Sequence, residues 1–343
     1  MTKLAFLTDA ELLKMRFCDL PIELAGSVVE KRAHQVFEEL AARHLAVRPG
    51  IWLSEEWFNP AGVVGIAIPF YLVHPRLIRL ERRIMREAEG SVAADCLRIL
   101  RHETGHAIDE AFQLFKTREY RRVFGSPRRR YPASYTVKPD RRDFVVNLNS
   151  WYAQSHPVED FAETFAVWLS PRKQWRRRYR HWPALEKLEH VDRWMTALAG
   201  KPPLLDQQDP VEELKENART LREHYDEKRE FYGIEETHSF DPELRRLFPA
   251  PSSRGHEPHT SRARPRAASR LLQHHRAKLR KEVSRPLGIP AYAVDQVLLQ
   301  LISRARALNL QVTESSEKAH HELAELVFRL TIDTIQNGQR LPL

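Results

Sequence analysis

Only two cysteines, Cys18 and Cys96, occur in 343 residues, so neither a disulfide framework nor a CxxC zinc module can be built from this chain alone. That scarcity points to a reducing compartment. Long apolar runs are also missing: nowhere do about 18 apolar residues follow one another, so no membrane-spanning helix is expected. The N-terminal stretch MTKLAFLTDAELLKMRF meets Asp9 and Glu11 before any long apolar region and offers no small-residue cleavage site, so no signal peptide is expected either. A soluble cytoplasmic protein with no membrane partner is the resulting expectation. Charge of one sign does not dominate. The 55 Lys and Arg against 46 Asp and Glu leave +9 and a pI near 9.6, which permits acidic partners without demanding one.

What is present reads as two regions. In GSVVEKRAHQVFEELAARHL (26–45), Val29, Ala33, Val36, Phe37 and Leu40 recur at helical spacing. IWLSEEWF (51–58) and VVGIAIPFYLV (63–73) are β-branched and aromatic runs bounded by turn residues, and predict two strands. A helix over about 75–89 follows, and Ser91 is the expected N-cap of the next one. The basic stretch 116–144, with three prolines and little periodicity, reads as a long loop. Ser155 and Pro157 signal a helix start, and PVEDFAETFAVWL sets Val158, Phe161, Ala162, Phe165, Trp168 and Leu169 on one face. Further helices run to about Gly233. A Pro/Ser/Arg-rich linker is expected over 249–270, after a first domain of 1–248. Beyond it, 271–343 reads as a small helical bundle, with Val294, Val297, Leu298, Leu301, Ile302, Ala305 and Leu308 on one stripe, and it is the expected docking element for a protein partner.

The chemistry concentrates in LRILRHETGHAIDEAF (97–112). On a helix His102 and His106, four apart, present both imidazoles to one spot, a separation that suits two ligands of a tetrahedral Zn²⁺, with Glu103 in reach of a water there. Uncharged flanking residues fit a helix packed inside a domain. Gly105, costly in a helix interior, implies close approach by another backbone or by substrate. By contrast AHHELAEL (319–326) has His321 and Glu322 but no second histidine at the required place, and His274 and His275 are adjacent and diverge. A zinc that works in catalysis takes three protein ligands. Phe112 stands where the extended HExxHxxGxxH pattern would need a histidine, so the third must come from elsewhere. Glu159 and Glu163, four apart on PVEDFAETFAVWL, are the candidates, one to bind the metal and the other to hold a ligand imidazole's N–H.

HETGHAID followed by WYAQSHPVEDFAETFAVWL, with similar segments LTDAELLKMRFCDLPIEL, WLSEEWFNPAGVVGIAIPFYLVHPRLIRLERR and RHWPALEKLEHVD, resembles an uncharacterised bacterial family of zinc-binding metallopeptidases over about residues 1–235. EDFAE is more remotely similar to the EFFAE of a gluzincin, the anthrax lethal factor protease. The resemblance implies an α+β, zincin-like metallopeptidase domain, with GIAIPFYLV as an edge strand over the active helix and a helical second half. It implies one Zn²⁺ per chain held by His102, His106 and Glu159, with Glu163 behind them, Glu103 as general base and Tyr152 as donor to the oxyanion. The implied reaction is hydrolysis of an amide in a peptide or protein substrate. Asp109, one turn after His106, is expected either to orient it or to be a solvated or N–H-capping aspartate.

Two rival readings remain. PRKQWRRRYRHW interleaves Arg176, Arg177 and Arg178 with Trp175, Tyr179 and Trp182, a pattern that could grip nucleic acid, but spacings of four and three favour aromatics turned inward. The other rival is a non-catalytic, zinc-stabilised interaction module, against which Glu103 argues.

Overall fold

The computed structural model describes residues 3–132, 135, 138, 140–171, 174–232, 240–248, 266–287, 291–312 and 316–336. It is mostly helical, with a small parallel sheet, and divides into two units, one up to Glu227 and one from Lys228 on. No helix among the described residues is long and apolar enough to cross a membrane.

The first unit begins with α1 (Asp9–Lys14), started by a capping box between Thr8 and Glu11, and α2 (Val28–Ala41), capped by Ser27. All five apolar positions expected for α2 are buried. Strands β1 (Gly50–Ser54) and β2 (Gly65–Pro69) pair in parallel, with Gly50 opposite Gly65 and Ser54 opposite Pro69. Both are shorter than the apolar runs suggest. Pro69, which cannot donate to a ladder, ends β2, and Phe70–Val73 turn into a 3-10 helix. A Cβ at Gly65 would lie 2.4 Å from the Trp52 ring, so only glycine lets that indole lie across the strand.

The other side of β2 is not a free edge along its length. Ala67 N–H donates to Phe58 O, and Asn59 Nδ2 donates to Gly65 O, so the chain's own 58–59 segment covers part of the edge expected to take substrate.

Helix α3 (Pro75–Ile84) precedes the long α4 (Ala93–Phe112). Ser91 is not the cap of α4. That position is Val92, without a side-chain cap, because the Ser91 hydroxyl accepts from Arg82 instead. Within the stretch expected to be all loop, α5 (Arg118–Val123) forms, capped by Thr117 and anchored by buried Tyr120. A 3-10 helix, Asn149–Gln154, leads into α6 (Pro157–Leu169), whose N-cap is His156 with Pro157 in the first turn. α7 (Trp175–Arg178), α8 (Ala184–Leu198) and α9 (Leu221–Phe231) follow. Tyr120, Phe124, Phe161 and Trp194 join α5, α6 and α8 by ring contacts.

α4 and α6 pack at very short range. A Cβ on Gly105 would stand 3.0 Å from Ala162 Cα and 3.2 Å from its carbonyl oxygen, so the backbone approach inferred for Gly105 is made by α6.

In the second unit, α10 (Asp241–Leu247), α11 (Ala268–Leu287), α12 (Ala291–Ala307) and α13 (Ser316–Gln336) surround a core of their own, and β3 (Arg266–Ala267) pairs antiparallel with β4 (Gln311–Val312). The α12 stripe is in that core, with Leu308 at its margin. So are Phe240, Leu244 and Phe248, which places residues 240–248 with the second unit although the sequence reading assigned them to the first domain. Of the linker expected over 249–270, residues 249–265 lie outside the described residues, and 266–270 form β3 and the start of α11.

Gly105→Ala tests the helix contact. Alanine gains about 1 kcal/mol of helix propensity, but overpacking of this kind costs about 1–3 kcal/mol. A lower denaturant midpoint is expected; a higher one would show that the contact is loose.

Candidate metal centre

The i, i+4 spacing on α4 brings His102 and His106 edge to face, with ring centroids 4.7 Å apart and their Nε2 atoms 3.0 Å apart. From α6, Glu159 Oε2 faces both nitrogens, at 3.0 Å from His102 and 3.3 Å from His106. The three ligand atoms lie within 4.8 Å of one another, and the group could hold a metal ion.

The tautomer follows from the other side of the ring. His102 Nδ1 is 2.9 Å from Glu163 Oε1, and Glu163 also accepts from Asn147 Nδ2 and from Leu148 N–H, each at 2.9 Å. A carboxylate taking those donors is an acceptor toward the imidazole as well, so His102 Nδ1 carries the hydrogen and a neutral ring aims a lone pair from Nε2. That lone pair meets the Glu159 carboxylate and the His106 nitrogen. Such an arrangement needs a positive charge at its centre, either a proton or a metal ion.

The dimensions suit zinc. Tetrahedral bonds of about 2.0–2.1 Å put donor atoms roughly 3.3 Å apart, and the observed edges are 3.0, 3.0 and 3.3 Å. Two imidazoles and one carboxylate also form a donor set that zinc accepts with one position left over.

Without an ion the charges rearrange around a proton. Burial opposes charge on His102, but the hydrogen bonds to Glu159 and Glu163 outweigh it and raise its pKa well above the ordinary value. Burial likewise opposes ionisation of Glu159, and the charge of His106 with the bonds from both imidazoles holds it well below the ordinary value. Glu103, next to His102 and 8 % exposed, is raised chiefly by burial. Its carbonyl accepts from Asn59 Nδ2 at 3.1 Å, and through Asn59 the helix is tied to β2.

Tyr152 and Tyr131 lie at the same spot, and burial, together with the nearby Glu163 and Glu159, raises the pKa of Tyr135 as well. The Tyr152 ring lies 5.6 Å from that of His102, and burial together with Glu159 and Glu103 raises its pKa, so it remains an O–H donor. Tyr131 was not anticipated. Its hydroxyl donates to Glu159 Oε1 at 2.8 Å, and its ring stacks on His156 at 3.8 Å. It sits in an aperiodic basic loop, and no spacing in the sequence connects it to α6.

The remaining expected site residues fall elsewhere. Asp109 is buried, its pKa pushed up to about 7 by that burial, and its Oδ1 accepts from Phe115 N–H at 2.8 Å. Of its two expected roles it takes the capping one; no hydrogen bond joins it to His106 among the described residues. Arg176 pairs with Asp192 and lies over Trp175, Arg177 donates to Gln174, and Arg178 to Val146 O. Trp175 and Tyr179 are buried, and Trp182 is engaged by Trp151 and Tyr179.

Residues 80–177 match a family model described as "Putative zinc-binding metallo-peptidase". The match covers His102, Glu103, His106, Tyr131, Tyr152, Glu159 and Glu163, and well under half of the chain. No curated protein and no solved structure matches it.

The protonation pattern gives a measurable consequence. With its folded pKa raised, His102 stabilises the metal-free protein fully below about pH 6.5, the unfolded imidazole value, and that contribution is lost as pH rises through the folded value. Glu159, with its pKa depressed, contributes above about pH 4.3 and loses that contribution as pH falls through its folded value. Between these limits the centre holds a proton that a metal must displace. Calorimetric zinc titration at pH 7 in two buffers of different ionisation heat should show release of about one proton per ion; no buffer dependence would contradict the assignment.

Proposed function

We propose that the chain is a zinc-dependent peptidase of zincin-like architecture, with one Zn²⁺ held by His102, His106 and Glu159. The observation that carries this reading is the convergence of three lone-pair donors from α4 and α6, with the Glu103 carboxylate one residue from the first of them. The family match over residues 80–177 supports it at the level of zinc-binding metallopeptidases.

When bound, zinc supplies Lewis acidity, polarising a carbonyl and acidifying a water. The chain's residues supply the rest. Glu103, its pKa raised by burial, accepts the proton that the water loses as its oxygen adds to the carbonyl carbon, and returns it to the amine nitrogen as the C–N bond breaks. Tyr152 keeps its hydroxyl hydrogen and donates it in a hydrogen bond to the oxyanion. Glu163 fixes the His102 ring by accepting from Nδ1, and Tyr131 occupies Glu159 Oε1 so that Oε2 stays aimed at the two imidazoles.

The nucleic-acid reading loses its main support in this geometry, because Trp175 and Tyr179 are buried and Arg176, Arg177 and Arg178 are engaged within the protein by Asp192, Gln174 and Val146. A purely structural zinc site would have no use for a buried carboxylate beside the ion.

Elemental analysis and hydrolysis of a mixed-peptide library test the reading together. Wild type should hold one zinc per chain and cut peptides, Glu103→Gln should keep the zinc while losing roughly 10²–10⁴-fold in rate, and Glu159→Ala should lose the zinc. Equal hydrolysis by Glu103→Gln and wild type would overturn the mechanism. Tyr152→Phe should lower kcat by about 10²-fold with little change in KM, as removal of an oxyanion donor does.

A further inference from the structure

The loop between α5 and α6 is fixed to the start of α6 at three points, one of them the candidate ligand Glu159. Gly125, at φ 105°, packs against Pro157, where a Cβ would come within 3.3 Å of the proline ring. His156 Nε2 donates to Arg129 O at 2.7 Å, and Tyr131 reaches Glu159 Oε1 at 2.8 Å. A turn bond from Arg129 N–H to Ser126 O closes the loop between these anchors. Arg128, Arg129 and Arg130 lie inside this anchored span, all three exposed.

These arginines differ from the others nearby. Arg141 is held by Asp143, Arg142 lies over Trp182, Arg176 pairs with Asp192, and Arg178 bonds to Val146 O. Among the described residues, no carboxylate pairs with Arg128, Arg129 or Arg130. Three unneutralised guanidiniums therefore stand within one to three residues of a tyrosine that touches the candidate ligand Glu159. Adjacent Cα atoms are about 3.8 Å apart, so the Cα atoms of the three arginines lie within about 11 Å of that of Tyr131, whose hydroxyl bonds to Glu159.

Their charge opposes that of the site. Glu103, Glu159 and Glu163 place three carboxylates around the centre, more negative charge than one divalent ion cancels. A neutral substrate needs no correction for that field, but an acidic one does, and guanidiniums grip carboxylates bidentately. From this we infer that the Arg128–Arg130 loop selects acidic polypeptides, holding glutamate or aspartate side chains of the substrate next to the scissile bond. The inference rests on the peptidase reading above and names its substrate class. Single-stranded nucleic acid fits less well, since it calls for free aromatic faces beside the cations, and the aromatic here, Tyr131, is already stacked on His156 and bonded to Glu159.

The test uses the zinc-loaded full chain carrying Glu103→Gln and reads fluorescence anisotropy with three probes: a labelled glutamate-rich peptide, its glutamine counterpart, and a single-stranded oligonucleotide. The glutamate peptide should bind about tenfold or more tightly than its counterpart at low salt. That preference should vanish near 1 M salt, where the screening length is about 3 Å. Adding Arg128→Ala, Arg129→Ala and Arg130→Ala together should abolish it with zinc content and melting temperature unchanged, and the corresponding triple lysine variant should restore most of it. Equal binding of the two peptides, or a preference that survives the triple alanine variant, would overturn the inference, as would tighter binding of the oligonucleotide than of the glutamate peptide. Hydrolysis of both peptides by the chain with Glu103 intact is scored separately. If neither is cut while the charge preference holds, the peptidase reading fails and the acidic-polypeptide surface stands.

Discussion

The close crossing of α4 and α6 at Gly105 and Ala162 is the constraint on which the rest of the first unit depends. One helix supplies His102, Glu103 and His106, the other Glu159 and Glu163, and none of these side chains is long. Helices ordinarily pack about 8–10 Å apart, and the close contact at Gly105 lets two glutamates of α6 reach opposite sides of one imidazole of α4. Here His102 is gripped by Glu163 at Nδ1 and faced by Glu159 at Nε2 because the backbones meet with no side chain between them. The helix approach is thus itself part of the geometry of the candidate metal centre.

Such a centre is costly as a piece of core. Glu103, Asp109, Glu159, Asp160 and Glu163 are all buried in a small volume, where an unpartnered carboxylate is strongly unfavourable. Most of that cost is offset by specific donors: Glu163 has three, Asp160 has Lys187, Asp109 has the Phe115 amide, and Glu159 has the imidazoles and Tyr131. The offset is incomplete: burial pushes Asp109 and Asp160 up to about 7, Asp160 Oδ1 has no partner among the described residues, and burial raises Glu103 as well. What distinguishes Glu103 is its place beside His102, where a carboxylate with a raised pKa is suited to proton transfer.

How much of this could be read beforehand depended on whether a short period or a distant contact decided the matter. The stripes of α2 and α12 and the pairing of His102 with His106 follow from helical spacing, and the structure shows each of them in place. Spacing could not separate Glu159 from Glu163, which share a helix face. Their difference comes from Asn147 and Leu148, supplied by a segment with no regular pattern. Tyr131 was hidden for the same reason, and α5 because arginines obscured its single buried anchor, Tyr120. The boundary between units was misplaced although Phe240, Leu244 and Phe248 recur every four residues. Composition drew the line at the proline-rich stretch, whereas packing places that turn of helix with the second core. The parallel pairing of β1 and β2, and the covering of β2 by Phe58 and Asn59, lie in tertiary contacts that apolar runs do not encode.

The central claim is that two imidazoles and a carboxylate from these two helices make one zinc centre. X-ray absorption at the zinc edge of the loaded protein addresses it most directly. The account predicts two imidazole ligands and only nitrogen or oxygen neighbours at about 2.0–2.1 Å. A sulfur neighbour near 2.3 Å, or scattering from a single imidazole, would contradict it.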